Sequence, residues 1–162
     1  TAVGAGKLIA LWDGEKVKLD RAVTSFVTTT ANKGDSFKKI KLVEDMDMIK
    51  TDIQSTIQDD YIGKYANSYD NKCLLITAIN GYFKTLVSEG VIESGTAEVD
   101  IESQRTYLES LGKEVMVNGS TKKPDELSDD EVKVANTGSH VFLKATVVLT
   151  DAIEDVSLTI NV

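Results

Sequence analysis

One cysteine, one proline and one histidine occur in 162 residues, and each shortage removes a class of explanation. The single cysteine, Cys73, rules out an intrachain disulfide framework and fits a reducing compartment. The single histidine, His140, has no cysteine near it in sequence, whereas metal sites need clustered ligands. A cysteine nucleophile at Cys73 would have just that one histidine as its base. No apolar run approaches the length of a membrane span, and no signal peptide is visible. Basic residues are also short: 18 Lys and Arg stand against 26 Asp and Glu, a formal net charge of -8. General attraction to nucleic acid or to an anionic membrane is therefore not expected. The hydrophobic fraction is 41%, enough for a packed core at this length and well above the disordered range. The reading is one domain, 1–162. Because the chain starts at Thr1 rather than Met, it is expected to be a piece of something longer.

The motifs that could carry chemistry are incomplete. "GAGK" at 4–7 invites comparison with a phosphate-binding loop. That loop needs glycine five residues before Gly6, where Thr1 stands, and Ser or Thr after Lys7, where Leu8 stands. Acidic clusters occur at "EDMDMIKTD", "QDD" and "DELSDDE". The first lies on the polar side of a helical pattern, and the last lacks the glycine and spacing of a calcium loop. No catalytic residue, metal ligand or cofactor site is assigned, and no enzyme activity is expected. One basic cluster remains, "KKIK", with Lys38, Lys39 and Lys41 in the first turns of a long helical pattern. Lysine there opposes the helix dipole, which hints at a partner, against the plainer reading of a solvated surface.

The hydrophobic periodicity outlines an α+β chain: strands, then helices, then strands. "GKLIALWDGEKVKLDRAV" reads as a hairpin turning at Asp13-Gly14, with both turn residues at positive φ. Phe37, Ile40, Val43, Met46, Ile49, Ile53 and Ile57 form the stripe of a helix from Ser36 to about Asp60, capped by Asp35 or Ser36 and closed near Gly63. A second helix spans about Tyr69 to Ser88, burying Leu75, Ile79, Tyr82, Phe83, Leu86 and Val87. "AEVDI" reads as a short strand and "ESQRTYLESLG" as a short helix with Tyr107, Leu108 and Leu111 inward. The polar stretch 118–138 reads as a surface excursion holding a short helix near Asp129 to Val134. The expected fold is a small, mainly antiparallel sheet with two long helices on one face.

The chain ends on "VFLKATVVLTDAIEDVSLTINV", two period-two stretches around an acidic joint. Val141, Leu143, Ala145, Val147 and Leu149 share one face of the first. Val156, Leu158, Ile160 and Val162 share one face of the second, opposite Ser157, Thr159 and Asn161. Such alternation marks a half-buried strand, and a strand needs partners for its backbone. The last strand either folds back onto its own sheet, since a joint as short as Asp151 to Asp155 can make a hairpin, or is given to another chain.

"DGEKVKLDRAVTSF", "FKKIKLVEDMDMIKTDI", "YIGKYANSYDNK", "NTGSHVFLKATVVLTDAIED" and "DAIEDVSLTI" resemble, in that order, the C-terminal part of contractile phage tail sheath proteins. The resemblance is to sheaths of Gram-positive myophages, prophages and phage-tail-like bacteriocins, and it covers nearly the whole chain. It implies a non-catalytic structural subunit of a virion or phage-tail-like particle, assembled in the host bacterial cytoplasm. The implied partners are other sheath subunits, the tail tube and the baseplate, with no nucleic acid and no membrane. It also implies a C-terminal arm, 151–162, that adds a strand to a neighbour and keeps the sheath connected during contraction. Asp155, Val156, Leu158, Ile160 and Val162 would form the subunit interface. Asp151, Ala152, Ile153 and Glu154 would form a hinge, and Lys38, Lys39 and Lys41 would face the tube. The rival readings are an enzyme, which would need convergent polar groups in a pocket, and a non-catalytic binding module of another phage or secretion-like assembly.

Overall fold

A computed structural model describes residues 1–31 and 33–160. The chain is α+β, with small antiparallel sheets and several helices. It falls into two compact units: Thr1–Asp52 with Leu149–Val162, and Ile53–Val148. Where one sheet was expected, the described residues form three separate two-stranded sheets.

In the first unit, β1 (Ala10–Trp12) pairs antiparallel with β2 (Val17–Leu19), Trp12 opposite Val17. The hairpin is where the sequence placed it, but its turn is longer. Four residues, 13–16, connect the strands, and Gly14 alone of the Asp-Gly pair takes positive φ, 103°. The Asp13 carboxylate instead accepts from the backbone N–H groups of Glu15, 2.9 Å, and Lys16, 2.8 Å. It supplies by side chain the turn that a second positive φ would have supplied by backbone.

The long helix starts later than its apolar stripe suggests. Asp35–Lys38 form a 3-10 turn, and Lys39 is extended, φ -109° and ψ 127°. Lys39 bridges Val23, with Thr24 N–H donating to Lys38 O, 2.9 Å, and Ile40 N–H donating to Ala22 O, 3.1 Å. This backbone pairing overrides the helical periodicity. Phe37 leaves the stripe and meets the Phe26 ring edge-on at 6.3 Å. No side chain caps the 3-10 turn. Helix α1 then runs Ile40–Thr56, with Leu42 and Ile49 buried, and unwinds through a wider turn at Ile57–Tyr61.

In the second unit, α2 (Tyr69–Ser88) matches its expected bounds, and Ser68 Oγ accepts from Asn71 N–H at its start. Leu75, Ile79, Phe83 and Leu86 are buried, as expected; Val87 is exposed. The strand after it is longer than "AEVDI": β3 spans Ile92–Val99 and pairs with β6 (Leu143–Leu149). Asp100 N–H donates to Phe142 O, 3.0 Å, placing the end of β3 beside the start of β6, so the pair is antiparallel. On β3, Ala97 and Val99 are buried while Ser94, Thr96 and Glu98 are exposed, the alternation of a sheet covered on one face.

Helix α2 covers that face through two specific contacts. Asn80 acts as a strand substitute: its Oδ1 accepts from Ala97 N–H, 2.7 Å, and its Nδ2 donates to Ala97 O, 3.1 Å. Gly95 lets the Phe83 ring lie against the strand. A Cβ there would stand 2.8 Å from Phe83 Cγ, and Phe83 is 1% exposed, with no room to retreat. Overpacking of this kind costs about 1–3 kcal/mol. Gly95→Ala is expected to lower the melting temperature by several degrees in a circular dichroism melt, with exposed Ser94→Ala as a near-neutral control.

Helix α3 spans Ile101–Ser110 and is capped by Asp100, which accepts from Ser103 N–H, 3.0 Å. Leu108 is fully buried, whereas Leu111 is exposed and Tyr107 half-buried. The stretch 118–138 is more than a surface excursion. Strands β4 (Val115–Val117) and β5 (Ser120–Lys122) form a hairpin on Asn118-Gly119, φ 52° and 79°, and α4 spans Asp129–Val134 as expected. Val115, Val117, Leu127, Val132 and Ala135 close around Leu108 as one apolar cluster. Ser128 and Glu131 cap α4 reciprocally, and Lys122 holds the Glu131 carboxyl down to about 2.

Candidate functional site: the C-terminal arm and its root

The terminal arm follows β6 as an acidic joint, and three cations of the same compact unit meet it. The Val23–Lys39 bridge sets the segment carrying Arg21 beside the segment carrying Lys39 and Lys41. Lys41 Nζ donates to Thr150 O, 2.8 Å, and also pairs with Asp45, 2.7 Å. Lys39 Nζ pairs with the Asp151 carboxylate and lies 3.3 Å from Glu154 Oε2. Arg21 Nη1 reaches the same Glu154 oxygen at 3.4 Å, and Arg21 Nη2 sits 2.8 Å from both oxygens of Asp155. The hydrogen bond to Asp155 raises the Arg21 pKa, and that to Asp151 raises Lys39. Lys39 in turn holds the Asp151 carboxyl below its usual range.

Beyond this root the arm is bare. Val156, Leu158 and Ile160 are 75–82% exposed, and Ile153, within the root, is 87% exposed. Residues 151–160 belong to no strand, and among the described residues no backbone group from 153 to 160 is hydrogen-bonded. Val162 lies outside the described residues. The four residues read as a hinge divide: Asp151 and Glu154 are ion-paired, while Ala152 and Ile153 are exposed. The three lysines read as a partner surface divide too. Lys39 and Lys41 engage the chain's own arm root, and Lys38 pairs with exposed Asp35 at 2.8 Å. Lys38 lies in the 3-10 turn, Lys39 is extended, and Lys41 alone stands in the first turn of α1. The sequence does not single out Arg21; its place seven residues after Gly14 gives no sign of the 134-residue reach to Asp155.

The other residues weighed for chemistry have structural surroundings. His140 Nδ1 lies 3.1 Å from the Tyr107 hydroxyl, with the two rings at 4.8 Å. Cys73 is half-buried in α2. Among the described residues no group of three or more His, Cys, Asp or Glu could hold a metal ion, and no helix is long and apolar enough to cross a membrane.

A family model for the phage tail sheath C-terminal domain matches residues 32–162. The chain belongs to that family. It is also 39% identical over 160 residues to a tail sheath protein of Clostridium phage phiCD119, covering 98% of this chain and 42% of that relative. The chain thus spans under half the length of the curated relative it matches. The family match runs through Lys38, Lys39, Lys41, β6 and the arm, whereas Arg21 and the β1–β2 hairpin lie before it.

Proposed function

We propose that this chain is the part of a contractile tail sheath subunit that links it to its neighbours, and that the arm 151–162 does so by strand addition. The observation that carries this reading is the bare alternating segment: Val156, Leu158 and Ile160 are 75–82% exposed, and their spacing would put them on one face of a strand. Alternating apolar residues left in water are costly unless another chain covers them. Strand addition would satisfy their backbone with a ladder of hydrogen bonds and fix register through side-chain alternation. A head-to-tail contact of this kind does not close on itself and gives a filament. In this reading the protein is a structural component of a virion tail or phage-tail-like particle, without catalysis. Its partners are sheath copies, a tail tube and a baseplate, and it assembles in the cytoplasm of the bacterial host. The test is negative-stain electron microscopy of the protein at its natural length: sheath-like tubes are expected, and monodisperse particles at all concentrations would remove the reading.

The tube-facing surface in this reading is the basic edge of Lys38, Lys39 and Lys41. Reversing all three charges would also break the arm root, so the cleaner probe is Lys38→Glu alone. Exposed pairs are worth about 0–1 kcal/mol each, so the effect must come from repetition over many subunits. The expected result is weaker co-sedimentation of the variant with tail tubes at unchanged melting temperature. Unchanged co-sedimentation would dismiss Lys38 as a tube contact.

A further inference from the structure

We infer that the acidic arm root is a built-in mask over the cation cluster of Arg21, Lys39 and Lys41, displaced when an acidic protein surface takes its place. The inference rests on the reading above for the arm's role and adds how the arm is controlled. Asp151, Glu154 and Asp155, with the Thr150 carbonyl, occupy Arg21, Lys39 and Lys41 in the manner of an intramolecular partner. These are the cations that an incoming carboxylate-rich surface would seek. An incoming set of carboxylates competes with these acceptors for the same N–H donors, so binding of one loosens the other. Such competition is reciprocal: an acidic partner frees the arm, and a freed arm favours the acidic partner. The mask suits displacement because it is held mostly by exposed ion pairs. The Asp155 side chain is 80% exposed and that of Arg21 39%, so this outer pair is weak and screened by salt. The apolar stretch Val156–Ile160 begins directly after the last masked residue, so release of Asp155 alters where that stretch can reach. A surface that unmasks Arg21, Lys39 and Lys41 would thereby prepare the arm for its neighbour, coupling the order of two contacts within one subunit.

The probe is a short polyglutamate peptide, and the protein is the 162-residue chain. One variant neutralises the root: Asp151→Asn, Glu154→Gln and Asp155→Asn. A control variant removes the same charge elsewhere, through Glu109→Gln, Glu114→Gln and Asp125→Asn, all exposed. A spin label at Leu158→Cys, in a Cys73→Ser background, reports arm mobility. The root variant is expected to bind the peptide about fivefold or more tighter than the control variant at low ionic strength. In the unneutralised chain, peptide binding is expected to increase the mobility of the label. In the root variant the label is expected to be mobile from the start. Equal affinity of the two variants, or a label indifferent to bound peptide, would overturn the mask. Both readouts are made on the 162-residue chain and the filament test on the protein at its natural length, so either can fail without touching the assembly reading.

Discussion

Replacing Gln104 by leucine is expected to remove on the order of 4 kcal/mol from a total stability of about 5–15 kcal/mol. Gln104 is 0% exposed and stands where three helices meet. Its Oε1 accepts from Lys72 Nζ of α2, 3.2 Å, and its Nε2 donates to the carbonyls of Val132 and Lys133 at the end of α4. A helix end leaves its last carbonyls without partners, and here a neighbouring helix supplies the donor by side chain. Lys72 is 4% exposed, and burial lowers its pKa, so the charged form already stands at a disadvantage. Leucine at 104 leaves that ammonium buried and alone, and leaves Val132 O with only the share of Ala135 N–H that it takes in competition with Glu131 O. A buried unpaired carbonyl costs about 1–3 kcal/mol and a charged group more. Adding Lys72→Met should recover much of the loss, since an apolar group of similar length removes the charge that needs a partner. The pH dependence has a definite sign. A lysine whose folded pKa is depressed penalises the fold below that value, and the penalty fades as pH rises toward the ordinary lysine range. The gap between Gln104→Leu and the native chain should therefore narrow in alkaline buffer. Denaturant melts of the two single variants and the double variant, at neutral and alkaline pH, measure both effects. Additive losses without recovery would show that Gln104 and Lys72 are not one unit.

Where local chemistry decides structure, the sequence was legible. The bounds of α2 follow from apolar spacing and α4 lies where a short helix was expected; Ser68 and Ser128, which cap them, are further local signals. The first hairpin follows from Asp13-Gly14. Local patterns failed where distant segments decided. The stripe from Phe37 onward reads as continuous helix, but backbone pairing of Lys38 and Ile40 with the Ala22–Thr24 segment pulls Lys39 into extended conformation. The stretch 118–138 is polar on average, which hid the few residues that matter for burial, Leu127, Val132, Ala135 and Thr137. The Asn118-Gly119 pair between "VMV" and "STK" was a usable hairpin signal. For the site, the apolar alternation of the arm was visible, and so were the lysines and the acidic joint as separate clusters. Their mutual pairing was not, because nothing local ties Lys39 to Asp151 across 112 positions. Gln104 was invisible for the same reason: a glutamine in a polar helix gives no sign that its amide closes another helix.

Deleting Val156–Val162 is expected to abolish polymerisation while leaving the subunit folded. The described residues of this stretch contribute no side chain to any core, since Val156, Leu158 and Ile160 are exposed, and none of their backbone groups is hydrogen-bonded. Their loss should shift the melting temperature within the range of a neutral surface change, about 0.5 kcal/mol or less. The cut leaves Asp155 in place, so its pair with Arg21 survives and the arm root stays as it is. The accepting neighbour would lose much more. Three apolar side chains contribute roughly 1.5–3 kcal/mol each on burial, and each ladder hydrogen bond about 0.5–1.5 kcal/mol. Association itself costs an estimated 4–15 kcal/mol in lost translational and rotational freedom, so a contact stripped of these gains falls below the threshold for filament growth. A second variant separates sequence from mere length: Val156→Asp with Leu158→Asp keeps the arm and places charge on the face that strand donation would bury. It should fail to polymerise as the deletion does, whereas Ser157→Asp with Thr159→Asp, on the opposite face, should polymerise. Sheath-like tubes from the truncated protein in electron micrographs would refute strand donation by the arm. A truncated subunit that arrives unfolded by circular dichroism would assign the segment to its own domain instead, and the two outcomes are read from one preparation.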